Sequence, residues 1–267
     1  MQERVERYYD ANAAYEWNRL DRHRMEFALT MRALGRHLED SSRILDVGGG
    51  PGRYAITLAQ QGHRVTLLDL SAANLAFARQ KAAELGVELE SVVHGNALDL
   101  SRFEPASFDA VLLMGPLYHL LEPEERERSV REALRVLKPG GLLAATIITR
   151  YAGLRDIAAH EPEELLEAMD RLEELFRTGV VRLPEGSGFT DSYRMHPTEL
   201  TPFMESFGLT TLEVLGQEGL LFLIEEKVNQ LTGPLWDAWV DVNERVAGDP
   251  TIWGQCAHLL YLGEGPR

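Results

Sequence analysis

Residues 43 to 52, Arg43-Ile44-Leu45-Asp46-Val47-Gly48-Gly49-Gly50-Pro51-Gly52, run an apolar segment through an acid into four glycines and a proline. Ile44, Leu45 and Val47 have the character of a buried strand. Gly48, Gly49, Gly50 and Gly52 permit backbone angles and a close ligand approach that a Cβ would obstruct. Tyr54, Ala55, Leu58 and Ala59 follow at helical spacing, so a helix N-terminus faces the loop. Its free N–H groups and dipole favour an anionic ligand group, a carboxylate or a phosphate. The dinucleotide pattern G-x-G-x-x-G, counted from Gly48, needs glycine at position 53; Arg53 stands there, which disfavours NAD and FAD. His63 to Asp69 reads as a second strand closing on a carboxylate, with Leu70 beside it. In a doubly wound sheet, Asp69 then sits at the carboxyl edge next to the glycine loop, placed to accept from both hydroxyls of a ribose. The alternative for Asp69 is to cap the helix beginning near Ser71.

With three later stretches, this pattern resembles the class I S-adenosylmethionine-dependent methyltransferases. The family's first motif, E/DxGxGxG, is matched by Asp46 to Gly52 and its ribose acid by Asp69. The third motif, usually Gly-Asp-Ala, is Gly95-Asn96-Ala97 in this chain, an asparagine replacing the aspartate. Phe108 to Met114 with Gly115-Pro116-Leu117-Tyr118-His119-Leu120 matches the fourth motif, and Leu137-Lys138-Pro139-Gly140-Gly141 the turn before the fifth strand. The likeness is close over residues 43 to 149 and is nearest in look to small-molecule enzymes acting on quinone precursors and secondary metabolites.

The resemblance implies an α/β, Rossmann-like methyltransferase fold: a mostly parallel seven-stranded sheet with helices on both faces, plus helical cap insertions. It implies S-adenosylmethionine as cofactor, with S-adenosylhomocysteine as product. The glycine loop would hold the methionine portion, and Asp46 would order the loop or reach the methionine amino group through water. Asp69 would take the ribose, the Asn96 amide oxygen and Ala97 the adenine, and Met114 with Gly115 would floor the site. In similar enzymes an N-terminal segment folds over the cofactor. This brings in Tyr9 and Arg19 from the cluster Tyr8, Tyr9, Tyr15, Trp17 and Arg19, where an aromatic face beside a sulfonium is favoured by the ring quadrupole.

Methyl transfer from a sulfonium needs alignment of donor and acceptor in a dry site, and a base only if the acceptor must lose a proton first. Tyr118 and His119, directly after the fourth motif, are candidates at the mouth of the methyl site; their alternative role is packing. His196, before Pro197, is a third candidate, with a helix-capping alternative. The eight histidines form no metal-ligand spacing and there is one cysteine, Cys256, so no metal is expected. Cys256 reads as a small buried hydrophobe.

A formal charge of −15, with only three lysines, opposes binding of nucleic acid. The N-terminus is charged and the apolar runs are short, so the expectation is a cytoplasmic protein with a small-molecule substrate, no membrane partner, and a monomeric or homodimeric state. The rival readings are a non-catalytic S-adenosylmethionine-binding or partner-activating protein and, further off, a tRNA or protein methyltransferase.

Four blocks are expected: a helical lid segment over 1–40, the cofactor core over 41–150, a cap insertion over 151–195, and a completion of the core over 196–267. Strands are expected near 43–47, 64–69, 89–94, 109–114, 142–148, 209–215 and 257–262. Leu165, Leu166, Met169, Leu172, Leu175 and Phe176 mark a cap helix ending at Gly179. An insertion near 218–254 separates the last two strands and reads as a second piece of lid, or else as core or interface. Phe176, Phe189, Tyr193, Phe222 and Trp236 are expected to give the acceptor an apolar, aromatic pocket.

Overall fold

The computed structural model describes residues 2–184 and 188–267. The expected lid block includes residue 1, and the expected cap 185–187, which lie outside the described residues. The chain opens with two helices, α1 (Gln2–Arg22) and α2 (Arg24–His37). It then alternates β1 (Arg43–Val47), α3 (Arg53–Gln60), β2 (Arg64–Asp69), α4 (Ala72–Leu85), β3 (Ser91–His94) and β4 (Phe108–Leu113). A short α5 (Pro116–His119) and α6 (Pro123–Val136) lead to the long β5 (Leu137–Ile148). The cap contains α7 (Ala152–His160), α8 (Leu165–Thr178) and a small hairpin, β6 (Val180–Val181) with β7 (Ser192–Tyr193). After α9 (Pro197–Glu205) and β8 (Thr210–Gly216), the insertion supplies α10 (Glu226–Asn229), α11 (Gly233–Ala247) and α12 (Pro250–Trp253) before β9 (His258–Glu264).

The main sheet has seven strands in the order β3-β2-β1-β4-β5-β9-β8, parallel except for β9, which runs antiparallel to both neighbours. Strand order reverses between β1 and β4, and ligands in such sheets bind at the carboxyl edge of that switch point. The sheet is apolar on both faces. One side packs Leu45, Val111 and Leu143 against Val130 and Val136 of α6 and Leu200 and Met204 of α9. The other packs Ile44, Ala110 and Leu112 against α2, α3, α4 and, through Val240 and Ala247, α11. Covered faces on both sides explain why the strands read as continuous apolar runs and not as alternating ones.

Local chemistry sets the boundaries near the site. Ser71 accepts from the Asn74 N–H at 3.0 Å to start α4, and Gly86 ends it in the left-handed region. Pro123 occupies the first turn of α6.

The cap helix expected over these residues is α8, ending at Gly179 in the left-handed region; Ala168, Leu172 and Leu175 are buried, while Leu166 is 84% exposed and Leu165, Met169 and Phe176 are also exposed. Core is one of the readings weighed for the insertion near 218–254, and it packs there: Val228, Val240 and Trp236 lie in the apolar cluster on the α2 side and Ile252 in the opposite one, and none of its residues lines the candidate site. Cys256 is fully buried, its thiol 3.3 Å from the Gly219 carbonyl oxygen and pushed up to about 12 by burial.

Candidate active site

The loops after β1, β2, β3 and β4 converge at the carboxyl edge, and α1 lies across them. Together they bound a cavity partly open to solvent. Asp46, Gly48, Gly49, Gly50, Asp69, Leu70, Asn96, Ala97, Met114 and Gly115 line it from below, and Tyr9 and Arg19 from α1. Tyr118 and His119 complete its wall.

The glycine loop is shaped by two constraints. A Cβ on Gly49 would come within 2.4 Å of Asp46 Oδ2 and 2.5 Å of Leu67 Cδ1, so no side chain fits. Gly50 has φ +59 and donates its N–H to Asp69 Oδ2 at 2.8 Å. Gly52, expected among the ligand-binding glycines, does not line the cavity; it sits between Leu67 and Ala78 at the start of α3. Its role is packing of helix on strand.

Asp69 fills the capping role weighed for it and also holds the glycine loop. Oδ1 accepts from the Ser71 N–H at 2.8 Å and Asn74 Nδ2 at 3.3 Å, ordering the start of α4, while Oδ2 holds the glycine loop. A carboxylate offers about four lone-pair positions, so one remains open on Oδ2 for a ribose hydroxyl, and a second hydroxyl requires the long Asn74 bond to yield. Asp46 is buried, and its Oδ2 has no hydrogen-bond partner among the described residues. Burial, reinforced by the neighbouring Asp69 charge, pushes its carboxyl up to about 7. Asn96 spends its amide oxygen on the Leu98 N–H at 2.9 Å, so the adenine contact assigned to that atom competes with a local turn.

His119 differs from a free base. Thr190 Oγ1 donates to the Asp191 carbonyl at 3.1 Å, which leaves its oxygen to accept from His119 Nδ1–H at 3.0 Å. Nε2 then accepts from the Tyr9 hydroxyl at 2.8 Å. Both ring nitrogens are therefore used, and burial lowers the imidazole to about 3. A neutral, doubly bonded histidine holds α1 to α5 and the cap, and is a weak base near neutral pH. Tyr118 is a phenol pushed well above its ordinary value by burial, a poor base as well. His196 is outside the cavity. Its Nδ1 caps α9 while Glu199 reaches back to the His196 N–H, a reciprocal capping box that accounts for the residue.

Arg19 faces the cavity but gives both terminal nitrogens to Glu26, at 2.7 and 2.6 Å. The aromatics expected around the acceptor are elsewhere. Phe189 packs on Tyr8 and His119 from outside, Trp236 lies under Arg24, Tyr193 under Arg126, and neither Phe176 nor Phe222 lines the cavity. Sequence reasoning missed Glu16, Tyr54 and Asn74, all cavity-lining, and Thr190. Glu16 was accessible to it: Tyr9, Glu16 and Leu20 recur at seven and four residues, one face of α1. Thr190, on an irregular segment, carries no periodic signal.

Residues 44–141 match the family model described as a methyltransferase domain. The ubiquinone biosynthesis O-methyltransferase of Pseudomonas fluorescens is 30% identical over 174 residues, covering 65% of this chain and 67% of that protein. The chain belongs to the class I S-adenosylmethionine-dependent methyltransferases. A tRNA 5-carboxymethoxyuridine methyltransferase of Escherichia coli is 38% identical over 104 residues, 38% of either chain. In fold, the chain is similar to a solved S-adenosylmethionine-dependent methyltransferase of Methanosarcina mazei, with a TM-score of 0.61 and 20% identity over 88% of this chain and 97% of that one.

As a methyltransferase of this class, the chain has a cavity whose atoms fit S-adenosylmethionine. The orphaned Asp46 oxygen suits the ammonium of the methionine portion, and the open position on Asp69 suits a ribose hydroxyl. Among the described residues the one group able to offer three metal-type ligands, Glu26, Glu218 and His258, is engaged with Arg19 and with itself. No helix among the described residues is long and apolar enough to cross a membrane.

Proposed function

We propose that the protein methylates a small molecule held beneath α1. The observation that carries this reading is the roof. α1 is pinned at its first turns by Arg4, which donates to Asp191 at 3.1 Å and to the Leu183 carbonyl at 2.6 Å. At its middle Asp10 accepts from Ser71 Oγ at 2.6 Å and from the Ala73 N–H at 3.1 Å. Tyr9 is tied to His119 between these points. Such a cover narrows access to the cavity and leaves little room for a folded nucleic acid, whose phosphates the charge of −15 also repels. The relative named for ubiquinone biosynthesis supports the same class of substrate. The one named for tRNA matches over 104 residues, 38% of this chain, against 174 residues for the other.

When bound, S-adenosylmethionine supplies an electrophilic methyl group on a sulfonium whose leaving group is a neutral thioether. The protein's own contribution is alignment and desolvation. Asp46 and the glycine loop orient one end, Asp69 and the 95–97 turn the other, and Tyr9 and Tyr118 enclose the space between. With His119 locked neutral, no histidine serves as base. Incubating the protein with methyl-labelled cofactor and, separately, a fractionated metabolite extract, bulk tRNA and bulk protein tests the reading. Label should appear in the metabolite fraction; label in tRNA or protein alone overturns it.

A further inference from the structure

An acid on the roof is bonded to the start of the helix that orders Asp69. α1 runs alongside α4, with the Trp17 and Phe77 rings 5.9 Å apart and the Lys81 ammonium 5.9 Å from the Trp17 ring. Towards the start of both helices, Asp10 Oδ1 accepts from Ser71 Oγ at 2.6 Å and from the Ala73 N–H at 3.1 Å. Both donors belong to the N-terminal turn of α4, where free N–H groups and the helix dipole favour a negative charge.

Ser71 passes this contact to the cofactor site. It is buried; its hydroxyl oxygen caps α4 by accepting the Asn74 N–H at 3.0 Å, its hydroxyl proton goes to Asp10, and its own N–H goes to Asp69 Oδ1 at 2.8 Å. Asp69 then holds the glycine loop, Oδ2 accepting the Gly50 N–H at 2.8 Å. One chain of bonds therefore runs from Asp10 through Ser71 and Asp69 to Gly50, from the roof to the floor of the cavity. A buried hydroxyl deprived of its acceptor must turn to another or forfeit a hydrogen bond. Either change moves Ser71, whose backbone N–H helps set where the Asp69 carboxylate stands.

We propose that Asp10 is a positioning residue for the cofactor: docked on Ser71, it fixes the Asp69 carboxylate in the orientation that takes a ribose hydroxyl, so that roof and ribose site form as one unit. This rests on the assignment of Asp69 to the ribose and not on the class of acceptor. Asp10 is not among the residues lining the cavity, so it acts on the ligand through Ser71 and not by touching it. The coupling is reciprocal. A hydroxyl bound on Asp69 steadies Ser71, and with it the seat of α1.

Calorimetry on the full chain with S-adenosylhomocysteine and its 2′-deoxy and 3′-deoxy forms tests this. In the parent, at least one deoxy form should bind about tenfold or more weakly, for loss of a hydrogen bond to a charged group. In Asp10→Ala the intact ligand should bind about threefold or more weakly, and the penalty for the missing hydroxyl should shrink by about threefold or more, because a displaced Asp69 no longer rewards it. A residue that only held α1 down would weaken intact and deoxy ligands equally. Asp10→Asn, which keeps an acceptor oxygen, should retain most of the parent's affinity and penalty. Adding Asp10→Ala to Ser71→Ala should cost less than about a further twofold. In the ligand-free protein, the Ser71 and Gly50 N–H groups should exchange faster in Asp10→Ala, read residue by residue by NMR. An unchanged hydroxyl penalty in Asp10→Ala, or additive losses in the double variant, overturns the proposal and leaves the cofactor assignment standing. A parent that binds intact and deoxy ligands alike removes Asp69 from the ribose and the proposal with it.

Discussion

Single side chains at the cavity make opposite demands on stability and binding. Asp46 is raised from 3.8 to about 7 in the folded protein, so the stability tied to its protonated form is present at low pH and is lost as pH rises through about 7. Asp46→Asn should therefore raise the melting temperature of the ligand-free protein at pH 8. It should also weaken S-adenosylmethionine binding by about 1.5–3 kcal/mol, the usual worth of a hydrogen bond to a charged group. Calorimetry and thermal melts on the same samples separate the two effects. His119 has the reverse sign. Its folded value lies near 3 against 6.5 unfolded, so its contribution is full above 6.5 and is lost as pH falls from 6.5 towards 3. His119→Gln should flatten the stability profile in that window, by up to about 1.4 kcal/mol per pH unit, and leave the neutral limb of the turnover profile unchanged. A neutral limb that disappeared with the substitution would restore His119 as a base. At Gly50, φ is +59 and a Cβ meets only Asn74 Nδ2, at 3.8 Å. Gly50→Val should accordingly strain the loop and fill ligand space, abolishing cofactor binding in the same calorimetric assay.

At the scale of elements, α1 is expected to tighten over the cavity when cofactor binds. It touches the core through Asp10 on α4, Tyr9 on His119 and Arg4 on the cap hairpin, and it is kinked at Asn12, whose side chain donates to the Tyr8 carbonyl at 2.7 Å. Leu20 is the one fully buried residue of this helix. Hydrogen exchange should find α1 and the 188–195 segment weakly protected without ligand and strongly protected with S-adenosylhomocysteine. The insertion over 218–254 should show no comparable change, because Val228, Val240 and Ala247 pack in the core cluster. Equal protection of α1 in both states would make it a fixed wall. Tyr9→Phe, which removes one bond to His119, should loosen α1 in the same experiment without lowering the global melting temperature by more than about 1.5 kcal/mol equivalent.

Across the whole molecule, a buried ionic chain ties the roof to the sheet. Arg19 of α1 pairs with Glu26 of α2, Glu26 lies 3.9 Å from His258 of β9, and His258 Nδ1 meets Glu218 at 2.6 Å. Glu218 also accepts the Ala257 and His258 N–H groups at 3.0 and 3.1 Å. Burial opposes ionisation of Glu26, yet Arg19 and His258 hold it down at about 2 against 4.5. Its contribution to stability is present above 4.5 and lost as pH falls towards 2. Glu26→Gln should leave the Arg19 charge uncompensated beside the cavity. A stability loss of about 3–5 kcal/mol is expected at pH 7, shrinking as the pH is lowered below 4.5, measured by urea unfolding.

Much of this protein was legible in its residue order because it depends on short-range chemistry. Strand β1, the glycine turn, Asp69 at the end of β2 and the Ser71 cap are local patterns, each with a backbone reason, and together they carry the parallel order, the switch point and the cofactor class. The second half of the site was not legible, since it is built by distant segments meeting. Thr190 and Tyr9 determine the state of His119 from 71 and 110 residues away, and nothing near His119 in the chain announces that both its nitrogens are taken. What α8 and the insertion pack against was not legible for the same reason: periodicity shows that a helix has an apolar face, while only the packing decides what that face meets. Burial without a partner, the property of the Asp46 Oδ2 atom, exists only once the chain has closed around it.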